Sequence, residues 1–422
     1  MSAFSPRTPY ARLQDMASPD EQMTYFRKGF GLKADVQGDL SADYNGRVVD
    51  ALREHDYTLV VEEVTIRLAR EFGFCYGVER AVEYAYQTRR KFPDKKIFMV
   101  GEIIHNPHVN AKLREMGIEI LAAAKDGSFD YSRVRPEDVV IMPAFGVTIA
   151  DFETLRANGC IMVDTTCGSV LNVWKRVDTY AKDGYTALIH GKYYHEETRA
   201  TASQVMKYPN GHYIVVRNME DVRVICDFIE QKGVTREMIL ERFAHAISPG
   251  FDPDLHLQRV GVANQTTMLA RESLAIGEEV GAAMERRYDA AHRAEHFRTF
   301  DTICSATQDR QDAVRELLAE PLDVMIVVGG YNSSNTISLA AICAERVPTY
   351  HVEDATAIDP DSGRIRFRPA GLHHREEVVE GWMPPAGPVR VGLTAGASTP
   401  NNKIGEAVAR IFATRGIVPD VG

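Results

Sequence analysis

The sequence predicts an α/β protein of three similar lobes with mainly parallel sheets, arranged pseudo-threefold about a central axis. Two observations carry that expectation. Short apolar runs alternate with helical patterns along most of the 422 residues, the rhythm of parallel sheets covered on both faces. Three of the six cysteines also sit alike, at a turn where an apolar or β-rich run gives way to a helical pattern. Cys75 lies in Glu71-Phe-Gly-Phe-Cys-Tyr-Gly-Val-Glu-Arg80, Cys167 in Asp164-Thr-Thr-Cys-Gly-Ser169 and Cys304 in Asp301-Thr-Ile-Cys-Ser-Ala306. The last two are near copies, Asp-Thr-x-Cys-small-small. Lobes of one design would bring three strand ends to one point.

Residues 1–60 are polar, with Arg27-Lys-Gly-Phe-Gly31 and then charged, weakly helical sequence. They read as an N-terminal arm wrapped on the body. The lobes follow as 61–163 with Cys75, 164–300 with Cys167, and 301–422 with Cys304. Apolar β-like runs recur at Ile97-Phe-Met-Val100, Val139-Val-Ile-Met142, Ile161-Met-Val163, Ala187-Leu-Ile189, Tyr213-Ile-Val-Val216, Val324-Met-Ile-Val-Val328 and Val389-Arg-Val-Gly-Leu393. Helical periodicity fills 78–89, 170–181, 308–318 and 404–413, and 229–257 reads as a helical insertion and loop. In such sheets ligands bind beyond the carboxyl ends of the strands, where all three cysteines fall.

Composition narrows the class. Hydrophobic residues make up 45% and charged residues 26%, the balance of a soluble globular protein. A net charge of −10 argues against a broad nucleic-acid surface. No apolar run approaches the roughly 18 residues of a membrane span, and Met1-Ser-Ala-Phe-Ser-Pro6 lacks a secretory core. Scattered cysteines in a chain of this size do not form a disulfide framework, so a reduced, cytoplasmic setting is expected.

A thiolate at a helix N-terminus is favoured by the macrodipole and by free N–H groups, which suits a metal or nucleophilic role. Three converging thiolates could hold zinc, a 3Fe–4S cluster, or a 4Fe–4S cluster with one iron free of protein ligand. No Cys-x-x-Cys pair favours zinc. Cys160, Cys226 and Cys343 read as inert buried thiols. Two glycine turns open helices with small donors, Val327-Val-Gly-Gly-Tyr-Asn-Ser-Ser-Asn335 and Val391-Gly-Leu-Thr-Ala-Gly-Ala-Ser-Thr-Pro400. Such turns cap helices, and they also aim N–H groups at phosphate. With His105 in Gly101-Glu-Ile-Ile-His-Asn-Pro-His108, they point to a diphosphate. Walker and Rossmann fingerprints are absent from the sequence. The acid–base candidates are His195 and Glu197 in His190-Gly-Lys-Tyr-Tyr-His-Glu-Glu-Thr198, with hydroxyl donors in Asn264-Gln-Thr-Thr267.

Together these segments resemble one family, hydroxymethylbutenyl diphosphate reductase (IspH, or LytB) of the methylerythritol phosphate route to isoprenoids. The matching motifs run in family order: Gly73-Phe-Cys-Tyr-Gly-Val-Glu-Arg-Ala81, Ile104-His-Asn106, Asp164-Thr-Thr-Cys167, His195-Glu-Glu197, Gln265-Thr-Thr267, Asp301-Thr-Ile-Cys304, Asn332-Ser-Ser-Asn335 and Thr394-Ala-Gly-Ala-Ser398. The arm and His190-Gly-Lys192 resemble the longer plant and cyanobacterial branch. The resemblance implies three lobes around a central 4Fe–4S cluster held by Cys75, Cys167 and Cys304, with one open iron. It implies reductive removal of the substrate's allylic hydroxyl, giving isopentenyl and dimethylallyl diphosphate. By motif, Glu197 would donate the proton, with His195 as its relay or a diphosphate partner. Thr266 would orient the hydroxyl. His105, Thr267, Ser333, Ser334, Asn335 and Ser398 would hold the diphosphate. A ferredoxin or flavodoxin is the implied electron donor. The arm would either cap a lobe or build the interface of a homodimer. One departure stands out: short-form members carry a second diphosphate-binding histidine in Ser-Ala-His-Gly, where this chain has Pro143-Ala-Phe-Gly146.

Two other readings remain at this stage. A non-catalytic iron–sulfur carrier would need no diphosphate loops and would ordinarily have a fourth cysteine ligand. A zinc hydrolase would use His105 and His195.

Overall fold

The computed structural model describes residues 24–371 and 375–418. Its helices and strands alternate through three separate sheets. The first runs Tyr25–Phe26, Ile161–Asp164, Val139–Met142, Ile97–Val100, Ile118–Leu121, parallel throughout. The second runs Phe297–Thr299, Val260–Asn264, Thr186–His190, Tyr213–Val216, again parallel. The third runs Thr349–Val352, Val324–Val328, Val389–Ala395, Val64–Leu68, Thr58–Val61, and only its last pair is antiparallel. The central strands of all three are buried on both faces, which is why they read as continuous apolar runs.

The lobe expected over 61–163 needs a correction at its start. Val64–Leu68 pairs with Val389–Ala395 and so belongs to the third sheet, and the antiparallel Thr58–Val61 extends that sheet. Its buried residues Val64, Ile66 and Leu68 alternate with Thr65 and Arg67, so no apolar run marks it, and its partner lies more than 300 residues away. The first lobe begins after this strand. A small antiparallel sheet of Ile358–Asp359, Arg364–Phe367 and Glu377–Glu380 also had no sequence signal strong enough to single it out.

The chain passes between lobes by one repeated move. Val64–Leu68 of the third sheet leads through Cys75 to helix Tyr76–Lys91, whose Val78, Ala81 and Val82 pack with Ile97 and Met99 of the first. Ile161–Asp164 of the first sheet leads through Cys167 to helix Gly168–Lys182. Its Val173, Val177 and Tyr180 follow a helical period into the second lobe's core. Phe297–Thr299 of the second sheet leads through Cys304 to helix Ser305–Leu317, which buries Ala313, Val314 and Leu317 against Met325 and Val327 of the third. Each cysteine turn is therefore a crossing between lobes.

The described part of the arm is stitched to two lobes. Tyr25–Phe26 adds an edge strand beside Met162 and Val163. Helix Lys33–Tyr44 packs on Tyr76–Lys91, and helix Arg47–Glu54 lays Val49 and Leu52 against Asn401–Ala413.

Candidate active site

The Asp-Thr-x-Cys repeat has a physical explanation. Asp164 Oδ1 accepts the N–H of Thr166 at 2.9 Å, and Asp301 Oδ1 that of Ile303 at 3.1 Å, each carboxylate closing its turn two residues on. The threonine then ties the turn to the neighbouring strand's end. Thr165 Oγ1 donates to Met142 O at 2.6 Å, and Thr302 Oγ1 accepts Asn264 N–H at 2.8 Å. Two residues beyond those anchors, the cysteine N–H groups donate across the lobe boundary, Cys167 to Ala144 O and Cys304 to Thr266 O. Cys75 obeys the same register: Gly73 N–H reaches Ala395 O and Cys75 N–H reaches Ala397 O. Gly73, at φ 66°, supplies the left-handed turn that Asp and Thr replace in the other two.

All three cysteines are helix N-caps lining one central cavity, together with His105, His195, Glu197, Thr266, Thr267, Ser333, Ser334, Asn335 and Ser398. Cys160, Cys226 and Cys343 are buried elsewhere, in apolar clusters. The expectation that helix ends favour thiolates is outweighed here. Burial raises the Cys167 thiol against the N–H groups of Ser169 and Val170, and pushes Cys304 up to about 11 despite Thr307. Such thiols ionise only beside a cation, as metal ligands do.

The three thiols share one cavity with no other cysteine among its described lining residues, a donor set that suits a multi-iron cluster with one iron free of protein ligand. Gly77 keeps room in that cavity, since a Cβ there would sit 2.5 Å from Cys167 Sγ and 3.9 Å from Cys75 Sγ. The donor set fits a cluster with three protein ligands.

The second half of the cavity is built on helix Glu196–Val205, which His195 caps. Its Nδ1 accepts the N–H of Glu197 at 3.2 Å, so in the neutral ring Nε2 carries the proton. Burial, then the charge of His105, lowers the His195 pKa to about 3. His105 is pulled the other way: burial lowers it, but Glu102 Oε2 at 3.0 Å and Glu196 Oε2 at 3.5 Å outweigh that and raise it to about 9. The two Nε2 atoms lie 3.2 Å apart, with Glu196 Oε2 3.5 Å from that of His105; when both carry protons, both can donate to an anionic oxygen. His105, His195 and Glu196 are grouped closely enough for a metal ion, but the N-cap bond commits His195 Nε2 to a proton. That speaks against the zinc reading.

Glu197 is 1% exposed, and burial pushes its carboxyl up to about 7 although Thr266 donates its N–H to Oε1 at 2.6 Å. Opposite, Asn335 Oδ1 accepts Ala397 N–H at 2.9 Å, leaving Nδ2 buried with no protein partner. That orphaned donor lines the cavity, where a phosphate oxygen would satisfy it. Ser333 caps its helix by accepting Thr336 N–H, and Ser398 Oγ donates to His105 O at 3.3 Å. Gly330 permits the crossing of these loops, since a Cβ there would meet His105 O at 2.4 Å. Sequence reasoning left Glu102, Glu196 and Gln265 without roles, though each lies inside a quoted motif.

Residues 66–412 match the LytB protein family. The chain is 46% identical over 394 residues to the 4-hydroxy-3-methylbut-2-enyl diphosphate reductase of Thermosynechococcus vestitus, covering 93% of this chain and 95% of that one. It is 47% identical over 402 residues to the enzyme of the same name from Gloeobacter violaceus, with 94% of each covered. The chain belongs to the LytB family. A solved structure of the E-1-hydroxy-2-methyl-but-2-enyl-4-diphosphate reductase from Plasmodium falciparum shares the fold, at TM-score 0.58 and 22% identity over 82% of this chain and 87% of that one.

Phe145, where the sequence resemblance leads to the expectation of an imidazole, is a ring that touches two others. It stacks on His105 with centroids 4.3 Å apart at 22°, and meets His195 edge-on at 5.6 Å. It has no hydrogen-bond donor and gives both histidines an apolar backing.

Proposed function

We propose that this LytB protein reductively removes the allylic hydroxyl of 4-hydroxy-3-methylbut-2-enyl diphosphate, giving isopentenyl and dimethylallyl diphosphate. Two electrons and two protons enter and one water leaves. The observation that carries the residue roles is Glu197: a buried carboxyl held up to about 7, in the same cavity as three cysteines and an orphaned amide donor.

Cys75, Cys167 and Cys304 would hold a 4Fe–4S cluster, which when bound supplies the electrons and an open iron as Lewis acid. The remaining chemistry belongs to the chain. Glu197, its pKa raised by burial to about 7, still carries a proton in a substantial fraction of molecules near neutral pH and delivers it to the departing hydroxyl. The Thr266 N–H fixes which Glu197 oxygen faces the backbone. His105, His195, Ser333, Ser334, Asn335 and Ser398 bind the diphosphate, with neutral donors doing most of the work in a chain of net charge −10. The electron donor on this reading is a ferredoxin or flavodoxin, and the setting cytoplasmic. Among the described residues no helix is long and apolar enough to cross a membrane.

The test is anaerobic turnover of the diphosphate substrate with reduced ferredoxin, alongside iron and sulfide analysis. About four of each per chain and formation of both products are expected. A colourless, stoichiometric zinc protein after anaerobic reconstitution would sink the proposal.

A further inference from the structure

Gln265 is 1% exposed and uses its whole amide. The Lys192 backbone N–H can only donate, so the amide atom facing it at 3.1 Å is Oε1. Thr198 Oγ1 donates to the same oxygen at 3.1 Å. Nε2 is thereby turned toward Thr267 Oγ1 at 3.0 Å and Ser334 Oγ at 3.1 Å. Rotation is blocked as well. Gln265 N–H is bound to His190 O at 2.8 Å, and Gly191 packs so closely that a Cβ there would lie 3.0 Å from Gln265 Cβ.

An amide N–H cannot accept, so both hydroxyls receive a hydrogen bond from Nε2. Each hydroxyl has a single proton, which is left to point elsewhere, and both residues line the cavity. We propose that Gln265 is a positioning residue that fixes the Thr267 and Ser334 hydroxyls as donors toward the substrate's phosphate oxygens. The inference rests on the reading that the loop around Ser334 takes the diphosphate. It adds a device that joins the second lobe's turn at Lys192 to the third lobe's loop, so that donor direction is set before substrate arrives. Preorganised donors cost no reordering on binding.

The test is anaerobic calorimetry of the iron-loaded protein with inorganic diphosphate. In Gln265→Glu a carboxylate of the same size has no donors, so Thr267 and Ser334 turn their protons onto it. In Gln265→Met the hydroxyls are free to choose. The Kd should rise by about 30-fold or more in Gln265→Glu and by about threefold to tenfold in Gln265→Met. Because position 265 is buried, salt does little to screen an added charge there, so the uncharged Gln265→Met separates donor direction from charge repulsion. A Gln265→Glu Kd within about threefold of wild type overturns the proposal. Should Gln265→Glu fail to fold, Gln265→Met decides alone, and unchanged binding there overturns it. Ser334→Ala separates the two layers. Undiminished binding in Ser334→Ala overturns the diphosphate reading and this proposal with it. Weakened Ser334→Ala beside an unchanged Gln265→Glu overturns only the role of Gln265.

Discussion

Glu197 Oε1 accepts the backbone N–H of Thr266 at 2.6 Å, and only Glu196 separates Glu197 in the chain from His195, whose ring caps its helix. One carboxyl oxygen is thus committed to the backbone and the other is left for a proton. Gln at this position keeps an acceptor for Thr266 but has no transferable proton. Glu197→Gln should lower kcat by about 10²-fold or more while leaving the iron content and visible absorption of the protein unchanged. Anaerobic turnover beside the absorption spectrum checks both halves, and retained activity removes Glu197 from its role.

The same carboxyl makes stability depend on pH. Its pKa is raised from 4.5 to about 7 by burial, so between those values the native state holds a proton that the unfolded chain has released. Stability must then fall as pH rises through that window, by roughly 3 kcal/mol in all. Above it the loss is complete. Glu197→Gln lacks this contribution, so the difference in thermal midpoint between variant and wild type should widen from pH 4.5 to 7 in the variant's favour. A pH-independent difference would show that Glu197 ionises freely in the folded protein.

Gly77 tests the cavity's dimensions. Its neighbours leave no space for a methyl group, with Cys167 Sγ 2.5 Å from where the Cβ would lie. Gly77 is the second residue of its helix and has no left-handed φ, so only the contact with Cys167 opposes alanine there. Gly77→Ala should therefore leave the helix intact and still lower iron bound per chain by about half or more. Iron analysis after identical anaerobic reconstitution decides it. Full iron content would mean that the Cys167 side chain moves aside at no cost.

What the sequence made legible follows from how local each signal is. The Asp-Thr-x-Cys turns were visible because an Asx turn, a stitching threonine and a cap occupy consecutive residues. The strands 97–100, 139–142 and 324–328 were visible because both faces are buried. Val64–Leu68 was not placed, because its partner strand is far away and one of its faces is half-exposed. Gln265 was invisible as a positioning residue because its four partners come from Lys192, Thr198, Thr267 and Ser334, a set no spacing rule connects. Residue types at the site were readable; the partners that orient them were not.

Asp164 and Asp301 are equivalent in the repeat and unequal in the fold. Asp164 is 1% exposed, and its Oδ2 takes the Tyr25 hydroxyl at 2.6 Å and Arg27 Nε at 3.5 Å, so the arm is pinned to the Cys167 turn. Asp301 is exposed, and its Oδ1 closes the turn by accepting the Ile303 N–H. Asp164→Ala should cost about 3 kcal/mol, since it strips a buried charged group from several partners. Asp301→Ala should cost about 1 kcal/mol, the value of a lost turn cap. Chemical denaturation of the two variants measures the contrast. Equal costs would mean that the arm contributes nothing to the Cys167 turn.

Phe145 is where this chain and the short-form pattern part, and its geometry gives the exchange a sign. Stacked on His105 at 4.3 Å and set edge-on to His195 at 5.6 Å, it restrains two rings whose Nε2 atoms lie 3.2 Å apart and which the proposed function assigns to the diphosphate. Aromatic pairs of this kind are worth about 0.5–1.5 kcal/mol each. Losing both should therefore raise KM by about tenfold, while kcat stays within about threefold because the transferable proton sits on Glu197 and not on the rings that Phe145 backs. Phe145→His keeps an aromatic ring and restores a donor, so it should bind inorganic diphosphate more tightly than Phe145→Ala and at least as tightly as wild type. If Phe145→Ala leaves KM unchanged, the histidines are held by Glu102, Glu196 and the N-cap alone, and the phenylalanine is only filler.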